Sequence, residues 1–186
     1  MDSGSSPSKW ITKSSTLHAD CRIFGVQKHH CMHPIDKREG DFFVIDSTDW
    51  VNVLAITKNK EVIFVRQYRF GTQHLSWEIP GGIIENNESA IIAGPRELDE
   101  ETGYIGDKPT ILGKCHPNPA LFNNICHFIL IENAELKNNQ NLDCHEEIEI
   151  QLVPIDNAMN WITSQKEPIH AMTLNGLFFA RNKLEK

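Results

Sequence analysis

Between Gly81 and Tyr104 the chain reads GGIIENNESAIIAGPRELDEETGY, and this stretch limits what the rest can fold into. At about 100° per residue, Glu97, Glu100 and Glu101 (i, i+3, i+4) fall on one face of a helix. Like charges at that spacing destabilise a helix, by roughly a few tenths of a kcal/mol per pair. Taken alone, such a cluster reads as a solvated acidic face. A hard divalent cation converts the repulsion into ligation, because Mg²⁺ takes a few carboxylate oxygens and keeps positions open for water and phosphate. The surroundings favour this second reading. Gly82, Glu88, Arg96-Glu97-Leu98, Glu100-Glu101 and Gly103-Tyr104 are separated by five, seven, one and one intervening residues.

This spacing resembles the Nudix box at each of its fixed positions. The resemblance implies a loop–helix–loop that holds Mg²⁺, or Mn²⁺, and hydrolyses a nucleoside diphosphate linked to another group. It makes Glu97 and Glu101 the principal metal ligands, with Glu100 a third and the carbonyl of Gly81 a fourth. Arg96 orients the glutamates, Gly82 and Glu88 shape the loop, and Leu98 and Tyr104 belong to the core. Asn87 is the predicted N-cap of a helix starting near Glu88, and Gly103 its C-cap. Gly94-Pro95 lies inside it, where a proline removes a helical hydrogen bond at a cost of about 3 kcal/mol if unrelieved. A kink just before Arg96 is therefore predicted.

Outside the box, VRQYRF (Val65–Phe70), WEIPGG (Trp77–Gly82) and Pro119, fifteen residues beyond Tyr104, resemble the Nudix subgroup that cleaves ADP-ribose and related nucleoside diphosphate sugars. That likeness implies products of a nucleoside monophosphate and a sugar phosphate. It maps the general base to Glu146 or Glu147, with Glu146 preferred; the bland alternative is two ordinary surface carboxylates. It also places Arg69 and Glu78 along the substrate cleft, Arg66 near the diphosphate, and Phe122 against a base. For Arg66, ion pairing with the many acidic residues remains an equal alternative. The subgroup is typically a homodimer whose N-terminal strands cross to the partner. Other readings are preference for GDP-mannose, cleaning of oxidised nucleoside triphosphates, and a non-catalytic nucleotide sensor. The last usually lacks box glutamates, which this chain retains.

The coarse element pattern supports an α/β layered domain with a mixed sheet, and the resemblance implies a Nudix-type α/β/α sandwich with a small N-terminal β element. Residues 1–15, rich in Ser, Gly and Pro, are expected to be a disordered tail. Residues 16–48 are expected to form N-terminal, dimer-forming strands, and 49–186 the hydrolase domain. WVNVLAIT (Trp50–Thr57) and EVIFVRQY (Glu61–Tyr68) read as a hairpin. The cluster His29-His30-Cys31-x-His33 reads as a half-exposed loop rather than a metal site. Lys137–Cys144 reads as a mobile polar stretch, Glu146–Val153 as a strand, Pro154–Ser164 as a helix, and His170–Leu184 as a last helix with Met172, Leu174, Leu177 and Phe178 inward.

The net charge of −7 argues against broad binding to nucleic acid or an anionic membrane, so an anionic substrate must be drawn in by local cations. Five cysteines without CxxC spacing read as reduced thiols. Together with the lack of a signal-like N-terminus or a membrane-length apolar run, they suggest a cytoplasmic protein.

Overall fold

The structure, a computed structural model, describes residues 6–184. The chain forms two compact units, one running to Thr48 and including His116–Asn124, the other comprising Asp49–Cys115 with Ile125 onward.

The first unit is an antiparallel sheet of β1 (Ile11–Asp20), β2 (Gly25–Met32) and β3 (Glu39–Asp46) in that order. β1 starts inside the stretch predicted to be a tail, because its backbone pairs with β2 from Ile11↔Met32 onward. Residues 1–5 of that predicted tail lie outside the described residues. The His29–His30–Cys31 run, predicted to be a loop, is the end of β2. Strand alternation separates neighbouring side chains, and His30 sits between Asp41 and Glu39 of β3 (2.8 and 3.0 Å). His116–Asn124 joins this unit through a parallel bridge between Ile45 and Phe122.

In the second unit, β4 (Trp50–Thr57), β5 (Glu61–Arg69), β6 (His74–Glu78), β7 (Gly81–Ile83), β8 (Tyr104–Ile105), β9 (Thr110–Cys115), β10 (Cys126–Leu136) and β11 (Glu149–Pro154) form one mixed sheet. Its main path runs β11-β5-β4-β10-β8, with β6 on β5, β7 on β4 and β9 on β10. β4 and β10 pair in parallel and the other pairings are antiparallel. The predicted hairpin is β4–β5. Its continuous apolar text has a plain cause, since β4 and β5 are covered on both faces. Val51, Val53 and Ala55 face α1 (Ala90–Thr102), while Leu54 and Ile56 pack with residues of α2 (Ala158–Thr163) and α3 (Ala171–Leu184).

α1 begins two residues later than predicted. Ser89 occupies the N-cap position without a side-chain bond, and Asn87 adopts φ +67 in the loop before it. Pro95 still lies inside the helix, as its sixth residue, where it has no N–H to donate to the Ile91 carbonyl. Gly94 has its own reason. A Cβ there would lie 3.2 Å from Ile129 of β10, so glycine lets helix and sheet approach closely. The predicted C-cap is observed. Gly103 is left-handed (φ 71), and its N–H donates to Asp99 O at 2.7 Å. A Cβ at Gly103 would stand 2.1 Å from the backbone oxygen of Asn138. We expect Gly103→Ala to lower unfolding free energy by about 2 kcal/mol, from left-handed strain plus that clash, as measured by urea titration.

Three other expectations differ. The Asn-rich run is not free: Lys137 and Asn138 N–H groups donate to Gly103 O, and Asn138 Nδ2 reaches Asp99. These bonds satisfy the end of a helix with no basic residue in its last turn. Pro154 ends β11 and leads through a 3-10 turn into α2, so the helix is shorter than predicted. Phe178 is 58% exposed rather than inward, whereas Met172 and Leu177 are buried.

Candidate active site

Arg96 organises the box. Its Nε and Nη2 donate to both oxygens of Glu88 (3.0 and 2.8 Å), Nη1 to Glu97 and Glu100 (2.9 Å each), and Nη2 also to Ile83 O. One guanidinium therefore ties the loop to the helix face and relieves the carboxylate repulsion. The geometry gives Arg96 a positioning part, with Glu88 as its anchor and not a helix-starting residue.

Glu97 and Glu101 converge on the Gly81–Gly82 loop. Glu101 Oε2 accepts the Gly81 N–H at 2.9 Å, and a Cβ on Gly82 would lie 2.5 Å from Glu97 Oε1. Glycine at 82 leaves a cradle under that carboxylate that any side chain would fill. Burial pushes the Glu101 carboxyl up to about 8, which the Gly81 N–H only partly offsets. Burial likewise pushes Glu97 up to about 6 against the pull of Arg96. Glu100 is the outer member, 40% exposed and engaged by Arg96. Among the described residues no three acidic, His or Cys side chains stand ready-made as a metal cluster. The donor set nonetheless fits a hard divalent cation. Two buried carboxylates held in a charge-disfavouring place, beside a glycine cradle, are oxygen ligands whose negative charge such a cation would compensate.

Gly81 and Gly82 line a cleft of about 1180 Å³ that also includes Arg66, Arg69, Glu78, Glu146, Glu147 and His170. Arg69 and Glu78 form a fork–fork pair, Nε to Oε1 at 2.8 Å and Nη2 to Oε2 at 2.7 Å. Glu78 lines the cleft as predicted, and because it is 1% exposed with both oxygens engaged it anchors Arg69. Arg66 lines the cleft while paired with Glu149 and Glu167, and it lies over the Trp77 ring. Phe122, predicted against a base, belongs to the first unit through its bridge to Ile45.

Both base candidates line the cleft, and the charge of Glu146 reaches Glu97, Glu101 and Arg69. Its Oε2 accepts the Asp143 N–H at 3.0 Å, closing a turn before β11. Sequence reasoning missed how this loop is placed. Gln140 Nε2 donates to Glu101 O (2.7 Å) and to Ile148 O (3.3 Å), tying the last turn of α1 to the loop's far side. No sequence signal marks Gln140. His170 was also missed; it precedes α3 and its Nδ1 lies 2.9 Å from Glu78 Oε2.

A NUDIX domain model matches residues 48–172. The chain belongs to that family. It is 32% identical over 117 residues to the ADP-ribose pyrophosphatase of Bacillus subtilis (strain 168), an overlap of 62% of this chain and 63% of that protein. It is 32% identical over 143 residues to the ADP-sugar pyrophosphatase of Mus musculus, covering 68% of this chain and 63% of that protein. The chain thus spans less than two thirds of the length of these curated relatives. A solved structure described as an ADP compounds hydrolase superposes with a TM-score of 0.84 over 97% of each chain at 21% identity, which shows a shared Nudix fold. Among the described residues no helix is long and apolar enough to cross a membrane.

Proposed function

We propose that this Nudix chain is a divalent-metal-dependent pyrophosphohydrolase of ADP-ribose or a related nucleoside diphosphate sugar, releasing a nucleoside monophosphate and a sugar phosphate. The observation that carries the reading is the pair Glu97–Glu101, drawn onto a Gly81–Gly82 loop that lines the same cleft as Arg69 and Glu146. The names of the Bacillus and mouse relatives agree with it. Glu97 and Glu101 would hold Mg²⁺ or Mn²⁺, with Glu100 and the Gly81 carbonyl as further oxygen donors. When bound, the cation supplies neutralisation of charge on the diphosphate.

The chain's own residues do the rest. Arg96 keeps the glutamates oriented, and Arg69, its fork held by Glu78, offers Nη1 to a phosphate. Glu146 takes the proton of the attacking water as its oxygen bonds to one phosphorus and the bridging P–O bond breaks. Glu147, in the same loop, is the second candidate for that proton. Arg66 shapes the wall through its two carboxylate partners.

Incubation with ADP-ribose, GDP-mannose and dinucleoside polyphosphates, with Mg²⁺ or Mn²⁺ and the products resolved, tests the reading. We expect ADP-ribose to give AMP and ribose 5-phosphate most rapidly. Faster GDP-mannose cleavage corrects the substrate, and turnover of none of them refutes the enzyme. The acting species we propose is a homodimer. Supporting this, Leu17, Phe42 and Phe43 of the three-stranded sheet are 60%, 46% and 48% exposed. Sedimentation of a monomer at micromolar concentration would remove it. The five free thiols are compatible with the cytoplasm as its compartment.

A further inference from the structure

The cleft wall contains more positive-charge capacity than the hydrolytic reading uses. Glu78 is 1% exposed, and two nitrogenous side chains converge on it. Arg69 engages both of its oxygens, while His170 Nδ1 stands 2.9 Å from Oε2, so the two share that atom. Nδ1 is buried and makes no aligned hydrogen bond, so a proton placed on the ring would be held there by the charge of Glu78. The Arg69 fork uses Nε and Nη2, which leaves the Nη1 donors of a side chain 44% exposed in the cleft.

The imidazole is placed by backbone, not by chance loop geometry. The carbonyl of His170 accepts the Thr173 N–H at 3.1 Å and so starts α3. The wholly buried Thr173 hydroxyl in turn accepts the Ile79 N–H at 3.1 Å, directly after β6. His170 and Thr173 thus clamp the first turn of α3 to consecutive residues, Glu78 and Ile79. The imidazole stays 31% exposed and lines the cleft.

The surrounding charges show what this does. Arg69 and Glu78 together sum to zero. Glu101 and Glu146 act on Arg69 with negative charge, and Arg66 is occupied by Glu149 and Glu167. His145 and Glu147 complete the charged lining. A diphosphate entering this cleft therefore meets an arginine already matched by a carboxylate, in a chain of net charge −7. A proton on His170 makes the Arg69–Glu78–His170 group net positive.

We propose that His170 is a second anion-holding residue of the cleft, sharing Glu78 with Arg69 so that one phosphate of a nucleoside diphosphate ligand rests on the pair of cations. This deepens the hydrolase reading and rests on it for the ligand class.

The test is ADP-ribose binding by calorimetry in EDTA, together with KM and kcat in Mg²⁺, at about pH 6 and about pH 8. The ligand's phosphodiesters keep their charge across that range, so any change belongs to the protein. Wild type is expected to bind about tenfold more tightly at the lower pH, the scale of one added ionic contact. His170→Gln should bind about tenfold more weakly than wild type at the lower pH, keep only the pH response that Glu97 and Glu101 give both proteins, and raise KM about tenfold while kcat falls by less than about threefold. His170→Lys should bind tightly at both, and His170→Asn replaces the Gln variant if that one does not fold. A Gln or Asn variant that binds as wild type at the lower pH overturns the proposal, as does wild-type affinity that ignores pH. Hydrolysis by wild type with no His170 effect sinks this inference alone; pH-dependent binding without hydrolysis sinks the enzyme reading alone.

Discussion

Glu101→Gln is expected to reduce turnover by more than about 100-fold, a floor set by what loss of even a supporting group costs a metal site. The fold should survive, because the amide retains the shape of the carboxylate and can still accept the Gly81 N–H. Stability carries a second, opposite signature. The Glu101 carboxyl lies at about 8 in the fold against 4.5 for the free side chain, and Glu97 at about 6. Raised acids contribute stability that is fully present below the unfolded value and is lost as pH rises through the folded one. Metal-free wild type should therefore lose stability between about pH 4.5 and pH 8. The loss should reach a few kcal/mol, because each tenfold change in proton affinity on folding is worth about 1.4 kcal/mol. The Gln variant should lose less and be the more stable of the two at the upper end without metal. Added Mg²⁺ should then raise the melting temperature of wild type and not of the variant, since only a ligand bound to the native state stabilises it. Near-normal activity in the variant, or equal response of both proteins to Mg²⁺, places the metal elsewhere.

Arg69→Met should cost about 3 kcal/mol of unfolding free energy and most of the affinity for ADP-ribose. Breaking a buried pair by removing one partner leaves a charge without compensation, and Glu78 is almost fully enclosed. The figure is held at the low end because Arg69 itself is 44% exposed and screened by solvent. Burial works against the Glu78 charge, yet the Arg69 fork and His170 hold its carboxyl down at about 2. A depressed acid stabilises above its unfolded value, so this contribution should fade as pH falls from about 4.5 to about 2. Replacing both partners, Arg69→Met with Glu78→Leu, should recover stability while leaving binding impaired. Denaturant titration of the single and double variants reads the first effect and calorimetry the second. A single variant as stable as wild type shows that the fork does not hold the charge.

Local signals in the text were sufficient where one residue type answers one backbone need. Gly103 is legible as a C-cap because only glycine adopts that φ without strain, and the β4–β5 hairpin is legible because two apolar runs flank a polar turn. The predicted tail failed for the converse reason. Ile11–Ser15 has little apolar text of its own, and it becomes a strand because β2 offers it backbone partners. The same holds for Lys137–Gln140, whose polarity suggested mobility although the open carbonyls of α1 hold it in place.

The box shows where the division falls. Its spacing by itself determined that Glu97, Glu100 and Glu101 share a helical face and that a glycine turn precedes them, since both are consequences of short-range geometry. Only the tertiary structure decided how those carboxylates are used: Glu100 faces outward on Arg96, while Glu97 and Glu101 are buried against Gly81–Gly82. It also decided that Glu78 anchors Arg69, that Arg66 is ion-paired, and that His170 reaches the same carboxylate from far along the chain. Desolvation and charge pairing depend on which distant segments pack together, and one-dimensional spacing does not encode that.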